Sequence, residues 1–153
     1  MISKNNILLK LLGLFSLGCV AAALVLAAKI LFASGFLLGM IYLGLLSISS
    51  LAIVLSFCTK CSCKRNCAHV LPGLVTRLFK DRPPGAYTKT EMTMSVFGLL
   101  LILGFLQFWL TRDWKLFFCF WILNGIGLLI IVKNICIRCE NRFCPFNQSG
   151  EMN

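Results

Sequence analysis

The side chains best equipped for chemistry are cysteines. The chain carries nine, and seven of them fall into two tight groups. One reads Cys58-x2-Cys61-x-Cys63-x3-Cys67-x-His69. The other reads Cys136-x2-Cys139-x4-Cys144 and is followed by Pro145. Cys-x2-Cys pairs drawn from separate segments are the usual frame of a tetrahedral zinc site, and four thiolates serve an iron–sulfur cluster equally well. Cys58, Cys61, Cys136 and Cys139 are expected to form a shared set. Cys63, Cys67, His69 and Cys144 would complete a second site or act as alternates. Zinc leads as the expected ion, because the full ferredoxin run of cysteines is absent; an iron–sulfur cluster follows closely. Lys60, Lys64, Arg65, Arg138 and Arg142 stand among the ligands. Their charge would offset that of the thiolates and favour thiol deprotonation. Two competing readings use the same sulfurs: a dithiol redox pair, and acylation of juxtamembrane Cys58. Acylation leaves the spaced partners of Cys58 unexplained.

Such a site needs two chain segments delivered to one place, and the flanking sequence supplies the means. The chain is 59% hydrophobic and 13% charged, against about 25% charged residues in an ordinary soluble domain. Four stretches are almost free of charge: Leu11 to Ala28, Ile30 to Phe57, Met92 to Leu110 and Leu116 to Val132. A bilayer core about 30 Å thick takes roughly 20 helical residues. Only helices or closed barrels satisfy their backbone in lipid, and continuous apolar runs do not alternate as barrel strands do. The fold class expected is all-α: a single bundle of four transmembrane helices over 7–28, 34–57, 92–111 and 115–134. A Cys-rich loop (58–91) and a Cys-rich tail (135–153) complete the chain. The N-terminal run also resembles a signal peptide, with Lys4 ahead of it and Ala21–Ala23 within it. Its extension to Ala28 favours a retained helix.

Positive residues mark the cytoplasmic side. Of fifteen Lys and Arg residues, only Lys29, Arg112 and Lys115 fall on the side opposite the loop and tail. The expectation is a multi-pass protein of the cell (inner) membrane with both termini, the loop and the tail cytoplasmic. Helices two and four then run outward to inward. Cys58 and Cys136 emerge beside each other at the inner face. In that reducing compartment stable disulfides are rare.

Within the spans the polar residues are Ser47, Ser49, Ser50, Gln107 and Asn124, with Gln107 and Asn124 expected to bond between helices. No Asp, Glu, Arg or His lies there, which argues against a proton-coupled transporter. The single histidine, His69, lies in the loop, so haem held inside the bundle is excluded. Cys19 and Cys119 are read as small packing residues. The glycines at 35, 39, 44, 98, 104, 125 and 127 suit close helix packing, with dimerisation through the Gly35 face as the alternative. In the loop, Leu74, Val75, Leu78 and Phe79 share a face rimmed by Arg77, Lys80 and Arg82. This pattern describes a short basic amphipathic helix in the headgroup plane. Thr90 is expected to cap helix three. No nucleic-acid motif accompanies the basic charge, so the lipid bilayer is the expected partner of these residues and no nucleic-acid partner is expected.

The set Cys58-x2-Cys61 with Cys67, Arg77-Leu78-Phe79, and Cys136-x2-Cys139-Glu140-Asn141-Arg142-Phe143-Cys144-Pro145 resembles small uncharacterised prokaryotic four-helix membrane proteins with paired cytoplasmic Cys-rich motifs. Cys63 and His69 stand outside that pattern, and the resemblance carries no function with it. The residues themselves suggest a membrane protein binding zinc or an iron–sulfur centre, as an anchor or electron-relay subunit for a cytoplasmic protein or for a second copy of itself. The alternatives are a membrane thiol-disulfide oxidoreductase, a heavy-metal carrier passing ions by way of Cys19 and Cys119, and a purely structural adaptor. No catalytic residue is assigned.

Overall fold

A computed structural model describes residues 4–61, 74–79, 82–136, 141 and 143–144. Among these there are no strands. Four long helices dominate: α1 (Lys4–Ser34), α2 (Phe36–Ser56), α3 (Lys89–Leu110) and α4 (Trp114–Ile130). α4 runs on through one π-helical segment, Ile131–Ile135. Each helix is long and apolar enough to cross a membrane. Their surfaces are apolar all round, as befits helices whose outer face meets lipid rather than water. Phe36, Leu37, Ile48, Phe108 and Phe118 are among the many large apolar side chains left exposed.

Packing sets α1 against both α2 and α4, while α3 lies mainly against α2 and also touches α1 and α4. α1 offers a stripe at four-residue spacing, Ala23, Ala27 and Leu31, all fully buried. Tyr42 of α2, Leu106 and Leu110 of α3, and Phe120 of α4 close over it as one cluster. Small side chains on α1 are what let the neighbours approach where lipid gives no hydrophobic push between helices.

α1 is longer than its sequence suggested. It continues to Ser34 rather than stopping near residue 28, so Lys29 lies inside its last turns. The cause is the nature of the joint. Gly35 is the sole residue between α1 and α2, and its extended backbone (φ 164°, ψ 135°) reverses the chain. Its N–H donates to the Leu31 carbonyl at 3.0 Å, and the Gly39 N–H donates to the Gly35 carbonyl at 3.1 Å. The hydrogen-bond ladder therefore runs almost without a break to the corner. Phe32 folds onto Gly39, where an added Cβ would stand 2.4 Å from its ring. A second close approach lies between α4 and α1: a Cβ on Gly127 would meet Val20 at 2.9 Å and the Ser16 carbonyl at 3.0 Å. Gly39 and Gly127 thus serve packing within the bundle.

The helix starts are capped by side chains. Thr88, not Thr90, caps α3. Its hydroxyl accepts from the Glu91 N–H while the Glu91 carboxylate accepts from the Thr88 N–H, a reciprocal capping box. The reason is spacing: only Thr88 stands three residues before an acidic partner. Asp113 caps α4 by accepting from the N–H groups of Lys115 and Leu116. Gln107 does bond between helices, accepting from the Trp121 indole at 3.3 Å. Asn124 instead donates to the Phe120 carbonyl of its own helix at 2.9 Å. In the loop, Leu74 and Val75 form a helical turn that passes into a 3-10 turn, Thr76–Leu78. Leu74, Val75 and Leu78 are exposed there, while Thr76 is buried.

The glycine contacts set a direct test. Gly39→Val is expected to destabilise the bundle by about 1–3 kcal/mol, the usual cost of overpacking. Gly44→Ala, where nothing lies within 4 Å of the added Cβ, is expected to be neutral or slightly stabilising. Thermal unfolding in detergent measures both.

Candidate functional site

The C-terminal end of α2 breaks into a 3-10 turn, Cys58–Lys60, as soon as the chain leaves the apolar run. The Cys61 N–H donates to the Cys58 carbonyl at 3.2 Å. This closes the Cys-x2-Cys element into one tight loop with both sulfurs half-buried. Thr59 holds the turn to the helix by donating its hydroxyl to the Leu55 carbonyl at 2.7 Å.

Lys60, between the two cysteines, fastens this turn to α3. Its ammonium donates to the Ala86 carbonyl at 2.7 Å and to Glu91 Oε2 at 3.1 Å. Glu91 also receives Arg82 on its other oxygen, and Arg82 reaches the Leu55 carbonyl at 3.4 Å. One carboxylate at the start of α3, itself 8% exposed, therefore ties together the end of α2, the loop before α3, and α3 itself. A nearly buried carboxylate is tolerated because two cations and a backbone N–H satisfy its oxygens.

Tyr87 sits at the centre of the sulfur region. Its ring stacks on Phe57 at 4.5 Å between centroids, and the Lys60 ammonium lies over it at 5.9 Å. The phenol donates to the Phe57 carbonyl at 3.4 Å and accepts from the side-chain amide of Asn141 at 3.1 Å. Burial pushes the Tyr87 phenol up to about 12. Negative charge on Cys61, Cys144 and Cys58 adds to the rise, and the Asn141 hydrogen bond opposes it. Three thiols, two from the loop group and one from the tail group, thus act electrostatically on one phenol.

Asn141 carries the tail to this spot. It is 2% exposed, and its amide also donates to the Cys61 sulfur at 3.5 Å. Its backbone carbonyl accepts from the Cys144 N–H at 3.1 Å. Asn141–Cys144 is therefore a second tight turn, the counterpart of Cys58–Cys61. Cys136 ends the π-helical extension of α4 and is half-buried.

The structure therefore joins the Cys58–Cys61 turn to the tail through Asn141, which bonds both Cys61 and Tyr87. Cys63, Cys67, His69 and Cys139 lie outside the described residues, and so does most of the basic loop surrounding them. Among the described residues, no group of three or more Cys, His, Asp or Glu side chains is arranged to hold a metal ion. Cys19 and Cys119 lie within α1 and α4, away from this region in sequence and element. Sequence reasoning passed over Tyr87, Asn141, Glu91 and Phe57. Two signals for Glu91 were available: the Thr88-x2-Glu91 signature, and the scarcity of acidic residues, five in the whole chain. Nothing in the sequence singled out Asn141 or Tyr87.

Architecture and site together define a class: a multi-pass membrane protein with four helices long and apolar enough to span a bilayer and a thiol-bearing junction at one end of the bundle. Comparison with protein-family models, curated proteins and solved structures finds no match to this chain.

Two expectations follow from this geometry. Glu91→Gln leaves Lys60 and Arg82 facing a neutral amide. Loss of one partner of a buried pair costs about 3–5 kcal/mol. With Arg82 46% exposed and partly screened, a loss of about 2 kcal/mol is expected, together with faster modification of Cys61 by thiol reagents. Tyr87 holds its proton more tightly folded, at about 12, than at the usual tyrosine value of 10.0. Its contribution to stability is thus complete below about pH 10 and disappears as pH rises towards about 12. Tyr87→Phe is expected to flatten that part of the alkaline stability profile, read by denaturant titration.

Proposed function

We propose that this chain is a metal-binding membrane protein whose loop and tail cysteines hold a soft divalent ion, zinc first, at the cytoplasmic face. The observation that carries the reading is the Asn141 amide, which joins the tail to Cys61 at 3.5 Å and to Tyr87 at 3.1 Å. Two sequence groups separated by some eighty residues share one polar junction, and the ligand chemistry of both is that of a thiolate-rich zinc or iron–sulfur site. Cys58 and Cys61 supply one arm and Cys144 the other, with Cys63, Cys67, His69, Cys136 and Cys139 as the further donors. The ion would join two otherwise separate turns, and since structural zinc contributes folding energy outright, it would act as a clip for the inner end of the bundle. The clipped surface is an anchor for a cytoplasmic protein, in the cell (inner) membrane with both termini inside. The net charge of +10, concentrated on that side, is attracted by an anionic leaflet.

Elemental analysis of protein purified without chelators decides the reading. Colourless protein with bound zinc, and loss of that zinc in the Cys61→Ser, Cys144→Ser double variant, is the expected result. Brown protein with visible absorption and bound iron would assign the same donors to a cluster. Metal-free protein, or zinc content unaffected by the double substitution, would overturn the proposal. Orientation has its own test: an impermeant thiol reagent applied to intact cells is expected to leave Cys58 and Cys61 unlabelled until the membrane is opened.

A further inference from the structure

The turn over 74–79 presents its apolar side chains outwards, the wrong way for a segment surrounded by water. Thr76 is turned inwards, 2% exposed, whereas Leu78 is 82% exposed and Leu74 and Val75 are exposed beside it. Spacings of three and four residues set these three on one face. The Phe79 N–H closes the turn by donating to the Thr76 carbonyl at 3.2 Å. Phe79 itself is extended (φ −111°, ψ 152°), and Arg82 follows shortly after it. That length of chain spans at most about 11 Å. Arg82 has a fixed place at the end of the bundle. Its guanidinium donates to the Leu55 carbonyl at 3.4 Å and pairs with Glu91 at the start of α3. Leu55 is an exposed apolar residue in the last turn of α2. The apolar face of the turn therefore lies within a short reach of the rim of the lipid-facing surface.

We propose that residues 74–79 form a membrane-surface anchor, with Leu74, Val75 and Leu78 set just below the headgroups of an anionic phospholipid surface. The charge around the turn fits that occupant. Arg82, Lys89 at the start of α3 and Lys133 beyond α4 are exposed cations at this end of the bundle. Glu91, the acid beside them, is nearly buried and already bonded to Lys60 and Arg82. In sequence the turn carries Arg77 and is followed by Lys80, with Asp81 as the one acidic residue before Arg82. An apolar face flanked by cations is the pattern of a segment lying in the headgroup plane. Each basic residue near an anionic surface favours docking about fivefold. A protein partner would have to take this face at the height where headgroups already lie. The anchor holds the chain that ends in Arg82, and through Glu91 and Lys60 the Cys58–Cys61 turn, at a set distance from the bilayer. No metal takes part, so the inference goes beyond the metal-binding reading and is independent of it.

Full-length protein is reconstituted into nanodiscs of phosphatidylcholine alone and into discs of phosphatidylcholine mixed with phosphatidylglycerol. Both faces of a disc carry the same lipids, so the direction of insertion does not enter. Hydrogen exchange of the amides in 74–79 is expected to be about five- to tenfold slower in the mixed discs, as one or two basic residues near an anionic surface provide. A photoreactive benzoylphenylalanine in place of Leu78 is expected to form adducts with lipid in the mixed discs, read by mass spectrometry. The paired substitution Leu74→Ser, Leu78→Ser removes the apolar face and leaves the cations. It is expected to return exchange in the mixed discs to the rate seen in phosphatidylcholine. Should the serine pair not fold, the comparison of discs and the adduct at residue 78 decide without it. Equal exchange in the two kinds of disc, or slowing that persists in the serine pair, would overturn the proposal. So would adducts at residue 78 formed with a second copy of the chain, or none with lipid. Neither result bears on bound zinc, so the metal-binding reading stands or fails separately.

Discussion

A peptide group inside a bilayer has no water to bond, and this single constraint organises the whole molecule. It forces each apolar run into an unbroken helix, and it forbids irregular backbone until the chain reaches the membrane surface. α2 obeys it visibly: the helix ends at Ser56 and gives way at once to the 3-10 turn that bears Cys58. α1 obeys it at the other face, where the ladder persists to Gly35 and the reversal takes one residue. Because regular structure fills the interior, the charged pairs and the irregular turns are driven to the helix ends. The cysteine turns, the ion bridge and the caps are all found there.

At the end of the bundle that bears Cys58 and Cys61, two polar side chains do most of the joining. Glu91 caps its own helix through Thr88 and accepts Lys60 and Arg82 in addition. Asn141 bridges Cys61 and Tyr87 while shaping its own turn. Each is nearly buried, and each has its hydrogen-bonding capacity used, which is the condition for keeping such groups out of water. Tyr87 lies between the two, stacked on Phe57, the residue that ends α2, and bonded to Asn141. The thiols therefore sit on a frame that three parts of the chain hold jointly. A frame of that kind limits the freedom the sulfurs would otherwise have at the end of a membrane helix.

In the interior the logic is different. Ala23, Ala27 and Leu31 gain nothing from excluding water, since lipid is as apolar as they are. Their value is geometric: they let Tyr42, Leu106 and Phe120 close over α1. Polar contact there is sparse. Gln107 with Trp121 is one link between helices, while Asn124 and Ser47 return to carbonyls of their own helices. The Tyr42 hydroxyl, fully buried, has no hydrogen-bond partner among the described residues. A bundle with so few polar links leans on close packing, which is why Gly39 and Gly127 stand against Phe32 and Val20 with no room for a methyl group.

The existence, number and type of the long helices were legible in the residues alone, because hydropathy over about 20 positions is a local property and the lipid solvent leaves one solution for it. That the start of the loop and the tail lie at one end of the bundle was legible for the same reason: an even number of antiparallel spans returns the chain to that end. Local chemistry was misread where two candidates lay close together. Thr88 and Thr90 both look like caps, and only the reach of Glu91, at N3, back to the Thr88 N–H separates them. What no linear pattern contained was the identity of the joints. Asn141 and Cys61, Lys60 and Glu91, Phe57 and Tyr87 meet because helices of particular length and tilt deliver them to one surface. Such contacts depend on where whole elements stand, and sequence spacing does not encode a distance between elements that only packing brings together.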